Sequence, residues 1–449
     1  FLVRVKLASK NLLKVSIKLY SYIIRLYYYT NNVNERIMSL LLYNFVIFLS
    51  LPFITARIFF KSIKDIDYRR HLRNRFGLYD YTKSKKLIWF HAVSLGEVIA
   101  SQTIVKEILK DYDIVLSVST PTGLREARKI FGSEIEIVYA PWDFSLFISS
   151  FYKTFNPLAL VLFETEIWPN MISKMHNKNI PIILCNGRMS ESSFNSYKKL
   201  SFLSKNIFKK ITYAFVQSEA HKKRFHSLGI HLNRISNVGS VKFDIEINDS
   251  PSRRLHKKKI ILAASTHINE DEIVVNAFKE LIKKMSDIQL IIVPRHPERS
   301  ESIKDLLAKH NLDSTIYTKV PTEAEDRVII INAIGILKDL YSISTVSFIG
   351  GSLFREYGGH NIIEPASQRC PFIVGPYMKN FEDILTLFNN ENACIQLKSK
   401  KDLYNAFKTL LNDDNLRDDM SERAVKICIN GKGSTKEQCT NILKIIRGD

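Results

Sequence analysis

Two hydrophobic patterns divide the chain. From Met38 to Ala56, nineteen residues pass without a charge, dominated by Leu, Ile and Phe and interrupted by Asn44 and Pro52. Continued to Phe60, the stretch reaches the roughly 20 residues that a bilayer crossing needs, and residues 38–60 are read as a membrane anchor. Arg57, Lys61, Lys64, Arg69, Arg70, Arg73 and Arg75 follow, most of them in a basic juxtamembrane segment, 61–85. The positive-inside tendency then places the rest of the chain in the cytoplasm. No small-residue cleavage site follows the apolar run, which separates it from a secretory leader. Ahead of it, residues 1–37 are basic and Tyr-rich, with Lys6, Lys10, Lys14 and Lys18 four residues apart. They read either as a membrane-surface helix or as upstream sequence that is not translated, with Met38 the start; the second is preferred.

From Lys86 the pattern changes to short apolar runs separated by helical stretches. Leu87–Phe90, Ile114–Ser119, Ile135–Tyr139, Leu158–Phe163, Ile180–Cys185 and Tyr213–Gln217 read as strands. A polar segment with a basic run, 250–259, reads as a linker. The alternation then restarts with Ile260–Ala264, Ile288–Val293, Val328–Ile331, Val346–Ile349 and Pro371–Val374. Strand and helix in alternation predict parallel sheets flanked by helices. The expected architecture is α/β, with two Rossmann-like domains, 86–249 and 260–449, facing a cleft. In such sheets ligands bind beyond the carboxyl ends of the strands.

The formal net charge of +20 points to nucleic acid or to an anionic membrane surface. There is no zinc-finger spacing and no repeated basic-aromatic motif of the RNA-binding kind, so the apolar stretch favours the membrane and no nucleic-acid partner is expected. Five cysteines without Cys-x-x-Cys spacing fit free thiols in a reducing compartment.

The candidate chemistry gathers at strand ends. Phe348-Ile-Gly-Gly-Ser352 and Tyr357-Gly-Gly-His-Asn-Ile-Ile-Glu-Pro365 combine a buried strand, paired glycines and an expected helix from Pro365. Glycine lets backbone approach a ligand, and a helix start favours an anion. A nucleotide's phosphate and ribose fit here, with Glu364 accepting from ribose hydroxyls; a plain Gly-rich turn is the alternative. In His91-Ala-Val-Ser-Leu-Gly-Glu97, the glutamate falls in the first turn of a helix. It is either a capping carboxylate or a general base. Phe163-Glu-Thr-Glu-Ile-Trp-Pro-Asn170 sets Glu164 and Glu166 beside Trp168, where a carboxylate orients the acceptor or stabilises the reaction centre. Ser119-Thr-Pro-Thr-Gly123 is a weak anion-site pattern, and Asn186-Gly-Arg-Met-Ser190 makes Arg188 available for a phosphate or carboxylate. Lys242, in Val238-Gly-Ser-Val-Lys-Phe-Asp244 at the expected hinge, is either a surface lysine or the cation that meets a leaving phosphate. Arg295, in Val293-Pro-Arg-His-Pro-Glu-Arg299, suits bidentate phosphate recognition. No Asp-x-Asp follows a strand, so no metal is expected.

Taken together, the segments His91–Glu97, Phe163–Asn170, Gly239–Asp244, Val293–Arg299 and Gly350–Pro365, in this order, resemble the 3-deoxy-D-manno-octulosonic acid (Kdo) transferases of lipopolysaccharide synthesis. The similarity runs from Met38 to about Arg447. It implies a membrane-anchored GT-B glycosyltransferase on the cytoplasmic face of the inner membrane, with CMP-Kdo as donor and a lipid A precursor, lipid IVA, as acceptor. The reaction implied inverts the anomeric centre without a metal or other cofactor. Carried across by position, the general base matches Glu97, a transition-state carboxylate matches Glu164, and the phosphate-stabilising cation matches Lys242. Contacts to CMP match Pro294 and Arg295, then Ile334, Gly335 and Ile336, then Asn361, Ile362, Ile363 and Glu364. The chain departs from the family at Asn332-Ala-Ile-Gly-Ile-Leu337, where Ile336 replaces an acidic residue, and at Ile362, where relatives carry Pro after Asn. Competing expectations are a GT-B enzyme with another nucleotide-sugar donor, a non-catalytic sugar-nucleotide binding relative, and a basic membrane-associated nucleic-acid binder.

Overall fold

The computed structural model describes residues 35–63, 65–81, 86–248, 258–320 and 326–448, with side chains from Ser39 onward. Residues 1–34 and most of the 250–259 linker lie outside the described residues. The chain divides into two compact units, 1–241 with 433–449, and 242–432.

The first unit holds strands β1 (Leu87–His91), β2 (Asp113–Val118), β3 (Glu136–Tyr139), β4 (Ala159–Phe163), β5 (Ile182–Gly187), β6 (Tyr213–Val216) and β7 (Ile235–Asn237). They form one sheet in the order β3-β2-β1-β4-β5-β6-β7, with parallel pairings such as Phe90 opposite Leu116 and Val161. Helices cover both faces, so the central strands are buried on both sides and read as continuous apolar runs. Alternate residues serve opposite cores. Leu87 and Trp89 join one cluster, and Ile88 and Phe90 join the other.

The second unit repeats this plan with β8 (Lys259–Thr266), β9 (Ile288–Pro294), β10 (Ser314–Tyr317), β11 (Val328–Ile331), β12 (Val346–Ile349), β13 (Phe372–Val374) and β14 (Ile395–Gln396). The order is β10-β11-β9-β8-β12-β13-β14. Every apolar run read as a strand in the sequence is one. The three strands that reading omits, β7, β10 and β14, are short edge strands that are mostly not fully buried, so the apolar signal fails there.

One boundary is corrected. The final helix, Ser434–Arg447, belongs to the first unit and not to the carboxyl-terminal domain. Its Cys439 and Ile442 complete a core cluster of the first sheet. Gln438 fastens it, accepting from the Asn186 backbone N–H at 2.7 Å and donating to the Ser434 hydroxyl at 2.8 Å. All five cysteines are buried free thiols.

The apolar stretch forms the helix Glu35–Ser62. Its span Ser39–Ser62 is long and apolar enough to cross a membrane by length and composition. Its first half is nonetheless fastened to the first unit. Asn44, a blemish in the sequence pattern, donates to Asn170 Oδ1 at 2.9 Å and accepts from the Ser145 N–H at 3.1 Å. Leu41, Phe45, Phe48, Phe53 and Phe59 stay exposed. The basic segment after it is partly turned inward. Arg75 is buried, lies over the Tyr139 ring at 4.3 Å and donates to the Ser119 carbonyl.

Candidate active site

In the first unit, Ser94 caps the helix Leu95–Leu109, whose first turn carries Glu97. The Val93 N–H donates to Glu97 Oε2 at 2.9 Å, and the Ser94 hydroxyl donates to Oε1 at 2.8 Å. The capping role is therefore real, and it also fixes both carboxylate oxygens in place. Burial raises the Glu97 carboxyl to about 7, with the nearby Glu166 adding to the rise, the two hydrogen bonds opposing it and Glu164 adding a smaller push. A carboxylate that titrates near neutrality suits a general base.

Glu166 is itself pushed up to about 7 by burial, against a hydrogen bond from Trp168 Nε1 at 2.8 Å. Of the two glutamates after β4, it is the one that acts more strongly on Glu97. Glu164 stands where the chain turns out of the strand with φ of 59°, a left-handed conformation uncommon outside glycine. Its N–H reaches the Cys185 carbonyl at 2.9 Å, and Arg188 lies 4.0 Å from its carboxylate. Arg188 thus faces a protein carboxylate. His91 is fully buried, bonds Ser117 Oγ through Nδ1 at 2.7 Å, and is held neutral by burial, near 4. Thr120 accepts from the Gly123 N–H at 3.1 Å, so the Ser119–Gly123 turn caps its own helix.

The segment that carries Glu164 and Glu166 is tied to the apolar helix through its last residue, Asn170. Asp143, buried and raised to about 6 by that burial, accepts from the Asn170 and Met171 N–H groups at 2.9 and 2.8 Å and takes a bond from Tyr43. Asn170 in turn holds Asn44. The motif Glu164–Asn170 therefore ends in the residue that docks the helix.

In the second unit, Pro294 ends β9, and Arg295 is exposed just beyond it, its N–H on the Thr266 carbonyl at 3.0 Å. His267 and His360 meet through their Nε2 atoms at 2.8 Å, and His267 stacks on Tyr357 with ring centres 3.9 Å apart. Burial, with the neighbouring histidines and arginines, lowers both imidazoles to about 4. Asn361 donates to Glu364 Oε1 at 3.0 Å and accepts from the Ile363 N–H at 3.0 Å. Burial raises the Glu364 carboxyl, and the Asn361 bond opposes the rise. Ile362 and Ile363 are buried core residues, so their part in any ligand contact is through backbone. Ile334 is 79% exposed and Gly335 has φ of 88°. Ile336 packs against the core cluster that holds Ile362 and Ile363, which gives the replaced acidic position an apolar role.

Beside the paired glycines, where the sequence reading places a nucleotide's phosphate, the backbone N–H groups are already taken. The carboxylate of Glu270, fully buried, accepts from Gly351, Ser352 and Leu353 at 2.6, 3.0 and 2.9 Å, and from His267 at 2.9 Å. The glycine pair makes room for protein instead: a Cβ at Gly350 would collide with the Ser265 carbonyl. The helix expected from Pro365 spans only Ile363–Ser367. Glu270 was missed because its signal, an acidic residue in a helix's first turn, reads as an ordinary cap.

Lys242 begins the second unit and not the end of the first. Its ammonium lies over the Phe381 ring at 5.5 Å. The neighbouring Asn380 donates to the carbonyls of Tyr357 and Gly359, so Lys242 is placed beside the segment that carries His360 and Asn361. Among the described residues, no group of three or more His, Cys, Asp or Glu is arranged to hold a metal.

Residues 70–245 match the family model described as 3-deoxy-D-manno-octulosonic-acid transferase (kdotransferase), and residues 245–427 match glycosyl transferases group 1. The chain is 31% identical over 408 residues to the 3-deoxy-D-manno-octulosonic acid transferase of Haemophilus influenzae, covering 87% of this chain and 95% of that one. It is 33% identical to the protein of the same name from Rickettsia bellii, covering 84% and 92%. A glycosyltransferase structure from Rickettsia africae aligns with a TM-score of 0.53 at 17% identity, over 82% of this chain and 99% of that one, which supports two α/β domains of the GT-B kind.

Proposed function

Because this chain belongs to the 3-deoxy-D-manno-octulosonic acid transferase family, we propose that it moves Kdo from CMP-Kdo to a lipid A precursor, lipid IVA, with inversion at the anomeric centre. The observation that carries this reading is Glu97, pinned through both oxygens beside Glu166 and titrating near 7. In its ionised form Glu97 takes the proton of the acceptor hydroxyl. The hydroxyl oxygen attacks the anomeric carbon of Kdo as the bond to the CMP phosphate breaks, and CMP leaves. Glu164 and the ionised fraction of Glu166 add negative charge beside the reacting centre, which suits the positive charge that develops on the sugar.

Pro294 and Arg295 receive the nucleotide phosphate, Glu364 the ribose hydroxyls, and Ile334–Ile336 and Asn361 the rest of CMP. Lys242 meets the charge on the departing phosphate. With the Gly351–Leu353 N–H groups already bonded to Glu270, side-chain cations carry this task. The exposed apolar side of the helix Glu35–Ser62 enters the inner membrane from its cytoplasmic face, and nearby basic residues such as Arg57 and Lys61 favour anionic lipid, each by about 1 kcal/mol.

Incubation with CMP-Kdo and a tetraacylated lipid A precursor, followed by mass spectrometry, tests the proposal. The expected product carries added Kdo with release of CMP, and the rate is unchanged by a chelator. An unmodified acceptor, or a product formed only with a UDP-sugar, overturns it.

A further inference from the structure

Glu166 also lines a cavity whose other walls the reaction chemistry does not use. The cavity measures about 340 Å³ and is walled by Tyr43, Trp168, Leu200, Leu203 and Ile207. Most of its polar wall groups are already bonded within the protein. Glu166 Oε2 accepts from Trp168, the Ser204 hydroxyl donates to the Tyr197 carbonyl at 2.8 Å, the Thr165 hydroxyl donates to the Arg188 carbonyl, and Tyr43 bonds Asp143. Such a wall offers shape and apolar contact but little polar recognition, so it fits a hydrocarbon.

Two further observations name the occupant. Tyr43 stands on the helix Glu35–Ser62, so one wall of the cavity is the apolar helix itself, which carries Leu41 and Phe45, 58% and 53% exposed, on its outer surface. Its lining also includes Glu166, the strongest charged neighbour of Glu97. The volume sits near the lower end of small-molecule sites, which run from ~300 to 1,000 Å³. It therefore takes one chain and not the several of a polyacylated lipid.

We propose that this cavity receives one acyl chain of the lipid acceptor, entering along the helix Glu35–Ser62, and so delivers the acceptor sugar to the carboxylates. The proposal rests on the reading of the acceptor as an acylated glycolipid.

Two measurements on the full chain in detergent test it. The first compares a tetraacylated lipid A precursor with its fully deacylated form as acceptors. Leu200→Trp, which fills the cavity from its half-buried rim, is expected to raise KM for the acylated acceptor at least tenfold more than for the deacylated one. An equal change in both overturns the proposal. The second irradiates the wild-type chain with a lipid A precursor carrying a diazirine at an acyl terminus. Labelling is expected in the peptides that hold Thr165–Pro169 and Tyr197–Ile207, and labelling confined to the outer side of residues 41–60 overturns the proposal. Wild-type inactivity on both acceptors would defeat the functional reading alone, because the photolabel still decides the occupancy of the cavity.

Discussion

The two units bury ionisable groups to opposite ends. In the first, burial and like charge push Glu97 and Glu166 up to about 7, so carboxylates that would be fully ionised in water become able to exchange a proton at neutral pH. In the second, burial pushes His267 and His360 down to about 4, so imidazoles beside Arg295 stay neutral. Burial disfavours charge in both, but with acids it produces a base and with histidines it removes cations. Under the proposed function, the proton chemistry belongs to the first unit, and recognition of the donor's anion falls to the guanidinium and ammonium groups of the second.

The comparison breaks most severely at Glu270. Glu270→Ala leaves the N–H groups of Gly351, Ser352 and Leu353 buried without an acceptor, each costing about 1–3 kcal/mol. Thermal unfolding should show a loss of about 3 kcal/mol or more, and a variant as stable as the parent would mean that the turn finds other partners. Next in size is Arg295→Ala. A hydrogen bond to a charged group contributes about 1.5–3 kcal/mol, so CMP affinity by calorimetry should fall roughly 10- to 100-fold. Unchanged affinity would move phosphate recognition elsewhere. The smallest effect sharpens the comparison. A base acts ionised, so transfer should rise with pH through about 7 as Glu97 loses its proton. Glu166→Gln removes a nearby negative charge and should move the midpoint of that rise to lower pH. A midpoint that stays put would detach Glu166 from Glu97.

The central strands were legible because burial on both faces writes an unbroken apolar run, as in Ile288–Val293. So were the motif carboxylates, since strand ends are where a parallel sheet exposes its chemistry. Three things were not. Asn44 looks like a flaw in an apolar stretch, and its partners Asn170 and Ser145, 126 and 101 residues away, give it a purpose. Glu270 and the Gly351 turn are 81 residues apart, so the turn's N–H groups looked free. The final helix returns to the first unit through contacts such as that of Gln438 with Asn186, a polar pairing with no pattern to announce it. Each is a long-range polar pairing, and local periodicity carries no record of its partner.

The division of labour is tested most directly by Glu97→Gln, with transfer and CMP binding measured on the same preparation. Loss of a general base should lower the transfer rate by ~10²–10⁴ while CMP affinity stays at the wild-type value. Transfer at the wild-type rate, or a parallel collapse of CMP binding, would contradict the assignment of proton transfer to the first unit and donor recognition to the second.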